Sequence, residues 1–199
     1  MSQRPIILFD VMETLVVEPF FTAIPQLFGM TCDQLLAAKH PTSWIEFEHG
    51  RITEDEYLTR FFQDQRPVDG AAVRRCLSES YQWVDGMQEL LAELHTKGYE
   101  IHALSNYSTW YLLIEEALGL SQYLQWTFVS CLMEVRKPDP RAFLIPTEQL
   151  GVKPGECLFI DDRPVNVEAA KAVHMDAIHF QDATRLRAEL VGRLLPGSN

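Results

Sequence analysis

Ile6, Ile7, Leu8 and Phe9 run without interruption into Asp10, and Thr14 follows four positions later. A short continuous apolar run of this kind suits a strand buried on both faces, as in a parallel sheet. The pattern recurs along the chain. Ile101-His102-Ala103-Leu104 opens onto Ser105-Asn106, and Cys157-Leu158-Phe159-Ile160 opens onto Asp161-Asp162. Residues 126–129 form a third run upstream of Arg136-Lys137-Pro138-Asp139-Pro140, and Ala177-Ile178-His179-Phe180 a short last one. Between these runs the apolar positions take helical spacing. Met87, Leu90, Leu91 and Leu94 make one stripe that Gly98 stops. Helices are expected over 109–118, ending at Gly119, over 141–150, ending at Gly151, over 164–173, which Pro164 starts, and over 184–195. Pro146 is expected to bend or interrupt the second of these.

The stretch from Glu18 to Tyr81 shows no strand pattern. Thr31-x-x-Gln34 and Thr53-x-x-Glu56 have the spacing of capping boxes, 44–49 is a helical segment closed by Gly50, and Asp69 opens a segment carrying Val73, Cys76, Leu77 and Tyr81. The expected fold is therefore α/β, a Rossmann-like three-layer core with a parallel sheet over 1–15 and 86–199. A helical segment over 16–85 is inserted after the first strand.

In such a sheet the strand carboxyl ends converge on one rim, and the polar clusters Asp10, Ser105-Asn106, Lys137 and Asp161-Asp162 all follow strands or sit in the loops beyond them. Singly, each has a plainer reading: a capping aspartate, a strand-end turn, a surface lysine, a common acidic pair. Together, one lysine, one hydroxyl and three carboxylates suit phosphoryl transfer with Mg²⁺, which favours carboxylate and carbonyl oxygens. Asp10 is placed either to attack phosphorus and form an aspartyl-phosphate or to hold the metal.

Composition narrows the partners. The 199 residues are 47% hydrophobic and 23% charged, which reads as one globular domain with a modest insertion. A net charge of -11 argues against nucleic acid and against anionic membrane surfaces, while leaving a phosphate ligand open to a local site. Cys32, Cys76, Cys131 and Cys157 form no Cys-x-x-Cys pair, so a reducing compartment is expected. No apolar run reaches membrane-spanning length, and the first strand starts too early to leave room for a signal peptide. The expected location is cytoplasmic, or a plastid or other organelle if a transit peptide has been removed.

The order of these clusters resembles the haloacid dehalogenase-like hydrolase superfamily over essentially the whole chain. Its first motif is similar to Asp10-Val11-Met12-Glu13-Thr14-Leu15, its second to Leu104-Ser105-Asn106, its third to Arg136-Lys137-Pro138-Asp139-Pro140 and its fourth to Phe159-Ile160-Asp161-Asp162-Arg163-Pro164-Val165-Asn166. The resemblance implies that 16–85 is the family's small helical cap. It implies Asp10 as nucleophile and metal ligand, the Met12 carbonyl and Asp162 as further ligands to Mg²⁺, and Asp161 as an outer or alternative ligand with Asn166 in support. It implies Ser105 and the following amide, at Asn106, as the phosphate holder, and Lys137 as the counter-charge.

One position departs from the pattern. The phosphatases of the superfamily carry an aspartate two residues after the nucleophile, as general acid and base; here it is Met12, which can do neither. The dehalogenases commonly have tyrosine there, which Met12 also fails to match. Phe9-Asp10-Val11-Met12-Glu13-Thr14, His102-Ala103-Leu104-Ser105-Asn106-Tyr107, residues 126–131 and the segments Lys39-His40-Pro41 and Trp44-Ile45-Glu46-Phe47 resemble the plastid-type FMN hydrolases. That likeness implies hydrolysis of flavin mononucleotide (FMN), or a similar small phosphate ester, to the alcohol and phosphate. Tyr107, Trp110, Trp44 and Phe47 are candidates for a wall against the flavin ring, though aromatic residues at such spacing more often belong to a core. Glu13, a metal-bound group or a group from the cap are the candidate proton donors. Two other readings are carried: a catalytically impaired protein that binds a phosphate ligand, favoured by Met12, and a metal-independent haloacid dehalogenase, disfavoured by the Asp161-Asp162 pair.

Overall fold

The structure is a computed structural model that describes residues 4–194. Its first strand, β1 (Ile6–Phe9), is completely buried, and a two-residue strand, β2 (Val16–Val17), follows. Five helices come next: α1 (Ala23–Leu27), α2 (Cys32–Ala38), α3 (Ser43–Glu48), α4 (Glu54–Thr59) and α5 (Gly70–Ser80). The chain then returns through β3 (Gln82–Trp83), α6 (Met87–Thr96), β4 (Ile101–Ser105), α7 (Tyr111–Leu118) and β5 (Gln125–Val129). It finishes with α8 (Ser130–Met133), α9 (Arg141–Leu150), β6 (Cys157–Asp161), α10 (Pro164–Ala172), β7 (Asp176–His179) and α11 (Ala183–Arg193).

The main sheet has the order β5-β4-β1-β6-β7 with every neighbouring pair parallel. Alternation along β1 splits the core into two layers. Ile7 and Phe9 face α6, α7 and α11 through Leu90, Leu94, Ile114, Leu186 and Leu190, whereas Ile6 and Leu8 face α9 and α10 through Phe143, Val167 and Ala170. Both faces of the central strand are thus covered, which is why it reads as an unbroken apolar run. β1 lies between β4 and β6, where the strand order reverses. The crevice beyond its carboxyl end is the place such sheets bind ligands, and Asp10 stands there.

Both capping boxes form: the Thr31 and Thr53 hydroxyls accept from the amides of Gln34 and Glu56, whose side chains bond back to the cap amides. Asp69 caps α5 through the amide of Ala72. Three details differ from the sequence reading. α9 runs unbroken from Arg141 to Leu150 with Pro146 inside and buried, so the lost amide costs the helix one bond without interrupting it. β2 and β3 pair antiparallel, Val16 with Trp83 and Val17 with Gln82, closing a two-stranded flap at the base of the insertion. α1, inside the stretch expected to be helical, and the single-turn α8 were not singled out as helices. Of the closing helix expected over 184–195, Leu195 lies outside the described residues, as do 1–3 and 196–199 of the expected core.

The inserted helices share the core's apolar layer. Leu35, Phe47, Tyr57, Phe61, Phe62, Val73 and Leu77 belong to the same buried cluster as Ile7 and Phe9. At the end of α3 the insertion is pinned directly to the core: Ser130 Oγ donates to the carbonyl of Glu48 at 2.7 Å and accepts from the amide of Tyr107 at 2.9 Å. Gly50 is required at this junction. Its φ is +70°, and a Cβ there would stand 2.4 Å from the Cys131 carbonyl oxygen.

Candidate active site

β1, β4 and β6 end beside one another, and three of the expected residues meet above them. Lys137 Nζ donates to Asp10 Oδ1 and to Asp161 Oδ2, both at 2.7 Å, and all three side chains are buried. Each is placed by backbone that the sheet fixes. The amide of Asp10 donates to the Ile160 carbonyl at 2.8 Å, continuing the β1–β6 ladder by one residue. Asp161 closes β6, and its carboxylate accepts from the amide of Arg163 and from Asn166 Nδ2. Lys137 sits in a loop tied to the end of β4 by a reciprocal pair: Asn106 Nδ2 donates to the Lys137 carbonyl and the Lys137 amide donates to Asn106 Oδ1, each at 2.8 Å. The Asn106 side chain is therefore committed to holding the lysine loop, which leaves its backbone amide, the group expected on the phosphate, as its contribution to the cleft.

The electrostatics follow from three carboxylates crowding one cation. One ligand atom from each of Asp10, Asp161 and Asp162 lies within 4.8 Å of the others. Burial first, then Asp161, push the Asp10 carboxyl up to about 7 against the pull of Lys137. Burial and then Asp161 raise half-buried Asp162 as well. Burial acts to lower the Lys137 ammonium, but Asp10 and Asp161 overcome it and hold the group above its usual value. A surplus of buried negative charge beside hard oxygen donors fits a divalent cation such as Mg²⁺. The cleft over this cluster has a volume of about 190 Å³, and Met12, Glu13, Glu18, Phe21, Glu48, Arg136 and Arg163 complete its wall. Ser105, at the end of β4, is buried and does not line it.

The expected aromatic residues gather next door. Phe20, Phe21, Trp44, Tyr107 and Trp110 wall a chamber of about 140 Å³, with Leu36 and Leu77 behind them and Glu18 and Lys39 as its polar groups. Trp44 stands edge-on to Tyr107 at 5.7 Å and 6.0 Å from Trp110. Trp110 Nε1 donates to Glu54 and the Tyr107 hydroxyl shares a hydrogen bond with Tyr81, so both rings are locked. Phe47 is buried behind Trp44 and does not reach the chamber.

Sequence reasoning missed Glu18, Lys39, Glu48, Arg136 and Arg163 as wall residues. Arg136 and Arg163 lie within matched motifs and Lys39 opens the segment Lys39-His40-Pro41, so these three were in view; Glu18 and Glu48 come from the flap and the insertion and carry no motif. Lys39 is the most exceptional of them. Its ammonium rests 4.0 Å from the centre of the Phe20 ring, and among the described residues it makes no ion pair. Burial, only partly offset by Glu18, pushes it down to about 8.

A stability prediction follows from that lysine. With the folded value below the unfolded 10.5, the unfolded chain holds more protons between pH 8 and 10.5, so stability rises with pH across that window. The cost of charge is fully present below pH 8 and corresponds to about 3 kcal/mol at most. Lys39→Met should raise stability at pH 7 by about 2 kcal/mol once the lost contact with the Phe20 ring is counted, and by nothing above pH 11. Urea unfolding at the two pH values measures the difference; an equal effect at both would contradict it.

Among the described residues no helix is long and apolar enough to cross a membrane. A family model described as haloacid dehalogenase-like hydrolase matches residues 5–174. Flavin mononucleotide hydrolase 1, a chloroplast protein of Arabidopsis thaliana, is 48% identical over 186 residues, which cover 94% of this chain and 76% of that protein. A phosphoglycolate phosphatase of Pseudomonas putida is 24% identical over 190 residues, covering 87% of this chain and 68% of the relative. Among solved structures, a wild-type HAD family enzyme of Bacteroides thetaiotaomicron, in complex with magnesium and inorganic phosphate, superimposes with a TM-score of 0.74 at 20% identity, covering 92% of this chain and 99% of the other. An L-2-haloacid dehalogenase of Xanthobacter autotrophicus, with chloropropionic acid covalently bound, gives 0.65 at 18% identity, covering 98% and 85%. Both structures share the fold, so the fold by itself does not choose between attack on phosphorus and attack on carbon.

Proposed function

This chain belongs to the haloacid dehalogenase-like hydrolase family and is a phosphoric monoester hydrolase; from that premise we propose that its substrate is FMN, released as riboflavin and phosphate with the help of Mg²⁺. The observation that carries this reading is the pairing of an acidic, lysine-centred cleft with an aromatic chamber that shares Glu18 and Phe21 with it: the cleft suits a phosphate and the chamber a planar ring. The 48% identity to a flavin mononucleotide hydrolase supports the same substrate.

In this reading Asp10 attacks phosphorus through the carboxylate oxygen not held by Lys137, forming an aspartyl-phosphate that water then hydrolyses. Lys137 opposes the rise that burial imposes on the Asp10 carboxyl and balances the phosphoryl charge, and Asn166 and the Arg163 amide fix Asp161 so that it holds Lys137 from the far side. Asp10, Asp162 and the Met12 carbonyl would hold Mg²⁺, with Asp161 as an alternative ligand. When bound, the ion would supply positive charge to neutralise phosphoryl oxygens. Asn106, which lines the cleft just beyond the end of β4, would offer its backbone amide to the phosphate, while Ser105 stays buried beneath it. The segment 16–85 acts as a cap over the core formed by 1–15 and 86–199, and its Trp44, with Tyr107 and Trp110 of the core, encloses the flavin.

The test is phosphate release from FMN and from a panel of phosphate esters, with Mg²⁺ and after chelation. Chelation should lower the rate on FMN at least about 10²-fold and added Mg²⁺ should restore it. Release of phosphate from other esters but not from FMN would remove the flavin assignment, and release of chloride from a 2-haloacid without metal would replace the phosphatase reading. The chamber is tested separately with riboflavin, which has no phosphate: its fluorescence should be quenched on binding, and Trp44→Ala and Trp110→Ala should each weaken that binding about tenfold. Unchanged quenching in both variants would place the ring elsewhere.

A further inference from the structure

An ester whose phosphorus lies at Asp10 and whose organic group lies in the chamber must put its bridging oxygen where cleft and chamber meet. Two residues line both spaces, Glu18 and Phe21. Only Glu18 can move a proton. Glu13 and Glu48 line the cleft alone, and Lys39 the chamber alone.

We propose that Glu18 is the catalytic acid and base of this chain, supplying from the flap the proton transfer that Met12 cannot make. The inference rests on the aspartyl-phosphate reading above. Glu18 follows directly on β2, the flap strand whose Val16 bridges Met12, so it reaches the same rim from one turn of chain further on. Its position is fixed at both ends: its amide donates to Glu13 Oε1 at 2.7 Å, and its Oε1 accepts from the amide of Phe20 at 2.9 Å. Among the described residues no hydrogen bond engages Oε2, which leaves that oxygen free for substrate. Glu13, whose Oε1 accepts from the Glu18 amide, lines the cleft alone and does not reach the junction. Glu48 has Arg136 at 3.2 Å, with Lys137 and Arg163 also near it; burial outweighs them and raises its carboxyl too, but Glu48 lines the cleft alone and does not reach the junction with the chamber.

The surroundings suit a group that must start protonated. Burial raises the Glu18 carboxyl, the Phe20 amide lowers it, Glu13 raises it and Lys39 lowers it, and the outcome lies above the usual carboxylate range. The hydroxyls of Tyr81 and Tyr107 face it as well. In the first step Asp10 forms the O–P bond, the ester P–O bond breaks, and its electron pair takes the Glu18 proton to give the free alcohol. In the second, the Glu18 carboxylate takes a proton from water as that oxygen bonds to phosphorus. The Asp10–P bond breaks, phosphate leaves, and Glu18 is protonated again.

The test varies the leaving group. An alkoxide needs a proton to depart; nitrophenolate does not. In the wild type, kcat/KM for a series of aryl and alkyl phosphates including FMN should change little with leaving-group basicity. Glu18→Gln should steepen that dependence, lowering kcat/KM about 10³-fold on FMN and other alkyl esters while the first turnover of p-nitrophenyl phosphate falls less than about tenfold. Because the variant also lacks the base, nitrophenolate should appear as a burst followed by slow turnover. Glu18→Asp should recover part of the alkyl rate. A loss equal on aryl and alkyl esters in the first turnover, or no loss on either, overturns the proposal, as does the same leaving-group pattern in Glu48→Gln instead. The series separates this from the flavin assignment: if the wild type hydrolyses alkyl phosphates but not FMN, the flavin reading fails and the slope still decides Glu18.

Discussion

Asp10→Asn should lower phosphate release at least about 10⁴-fold while making the metal-free protein more resistant to heat. The first half is the ordinary consequence of removing a nucleophile, since an amide oxygen does not attack phosphorus. The second half comes from where the carboxylate stands. Burial and the neighbouring Asp161 hold its carboxyl up at about 7, so the ionised form that chemistry needs is one the fold disfavours. Asparagine keeps the size and the oxygen that accepts from Lys137, removes one of three crowded negative charges, and leaves Asp161 to hold the lysine. The two measurements, phosphate release with Mg²⁺ and melting temperature under chelation, move in opposite senses only if Asp10 is a reactive group kept at some cost to stability. Activity within tenfold of the wild type would reassign the nucleophile.

The parts of the fold that local pattern carries were legible. Ile6 to Phe9, Ile101 to Leu104 and Cys157 to Ile160 are continuous apolar runs because all three strands are covered on both faces, and the two Thr-x-x-Gln/Glu caps need only their own four residues. What was not legible depends on distance or on position within an element. β2 and β3 are two residues each and are strands only because Val16 meets Trp83 across the whole insertion. α1 carries Pro25, which reads as a breaker; in the first turn its missing amide costs nothing, because the opening amides of any helix lack intrahelical partners. Pro146 is the converse case: a proline in a helix interior that buried packing tolerates.

The site divides the same way. Asp10, Lys137, Asp161 and Asp162 could be found from sequence because topology brings the ends of successive parallel strands together, so order along the chain stands in for proximity. Glu18, Lys39 and Glu48 arrive from the flap and the inserted helices, where nothing local announces which side chain will turn toward the rim. That asymmetry bears on Met12. A missing acid at a motif position reads as impaired catalysis when the motif is all that is visible, but the cleft wall contains three further glutamates, and the one at the junction is six residues along the same flap.

Lys137→Met should cost both activity and stability, and the way stability responds to pH tests why. The variant should lose about 10²- to 10³-fold in phosphate release, the usual effect of removing one charge-stabilising donor. At pH 7 under chelation it should also lose about 3–5 kcal/mol, because removing one partner strands Asp10 and Asp161 as buried, unpaired carboxylates. Without the ammonium, burial and repulsion from Asp161 raise the Asp10 carboxyl further above its unfolded value. The folded variant then binds protons that the unfolded chain does not, so its stability falls as pH rises and is regained on acidification toward pH 5. In the wild type the sign at this lysine is opposite in origin: its ammonium is held above the usual 10.5, so its contribution is complete below that value and disappears only as pH rises through the folded one. Two further changes should repair the variant without restoring the lysine. Mg²⁺ should return part of the lost stability by supplying positive charge to the same carboxylates. Lys137→Met combined with Asp161→Asn should unfold at a higher urea concentration than Lys137→Met alone, since one of the stranded charges is gone. If pH, Mg²⁺ and the second substitution all leave the single variant's unfolding midpoint where it is, the loss comes from packing around the lysine stem, and the charge account of this site is wrong.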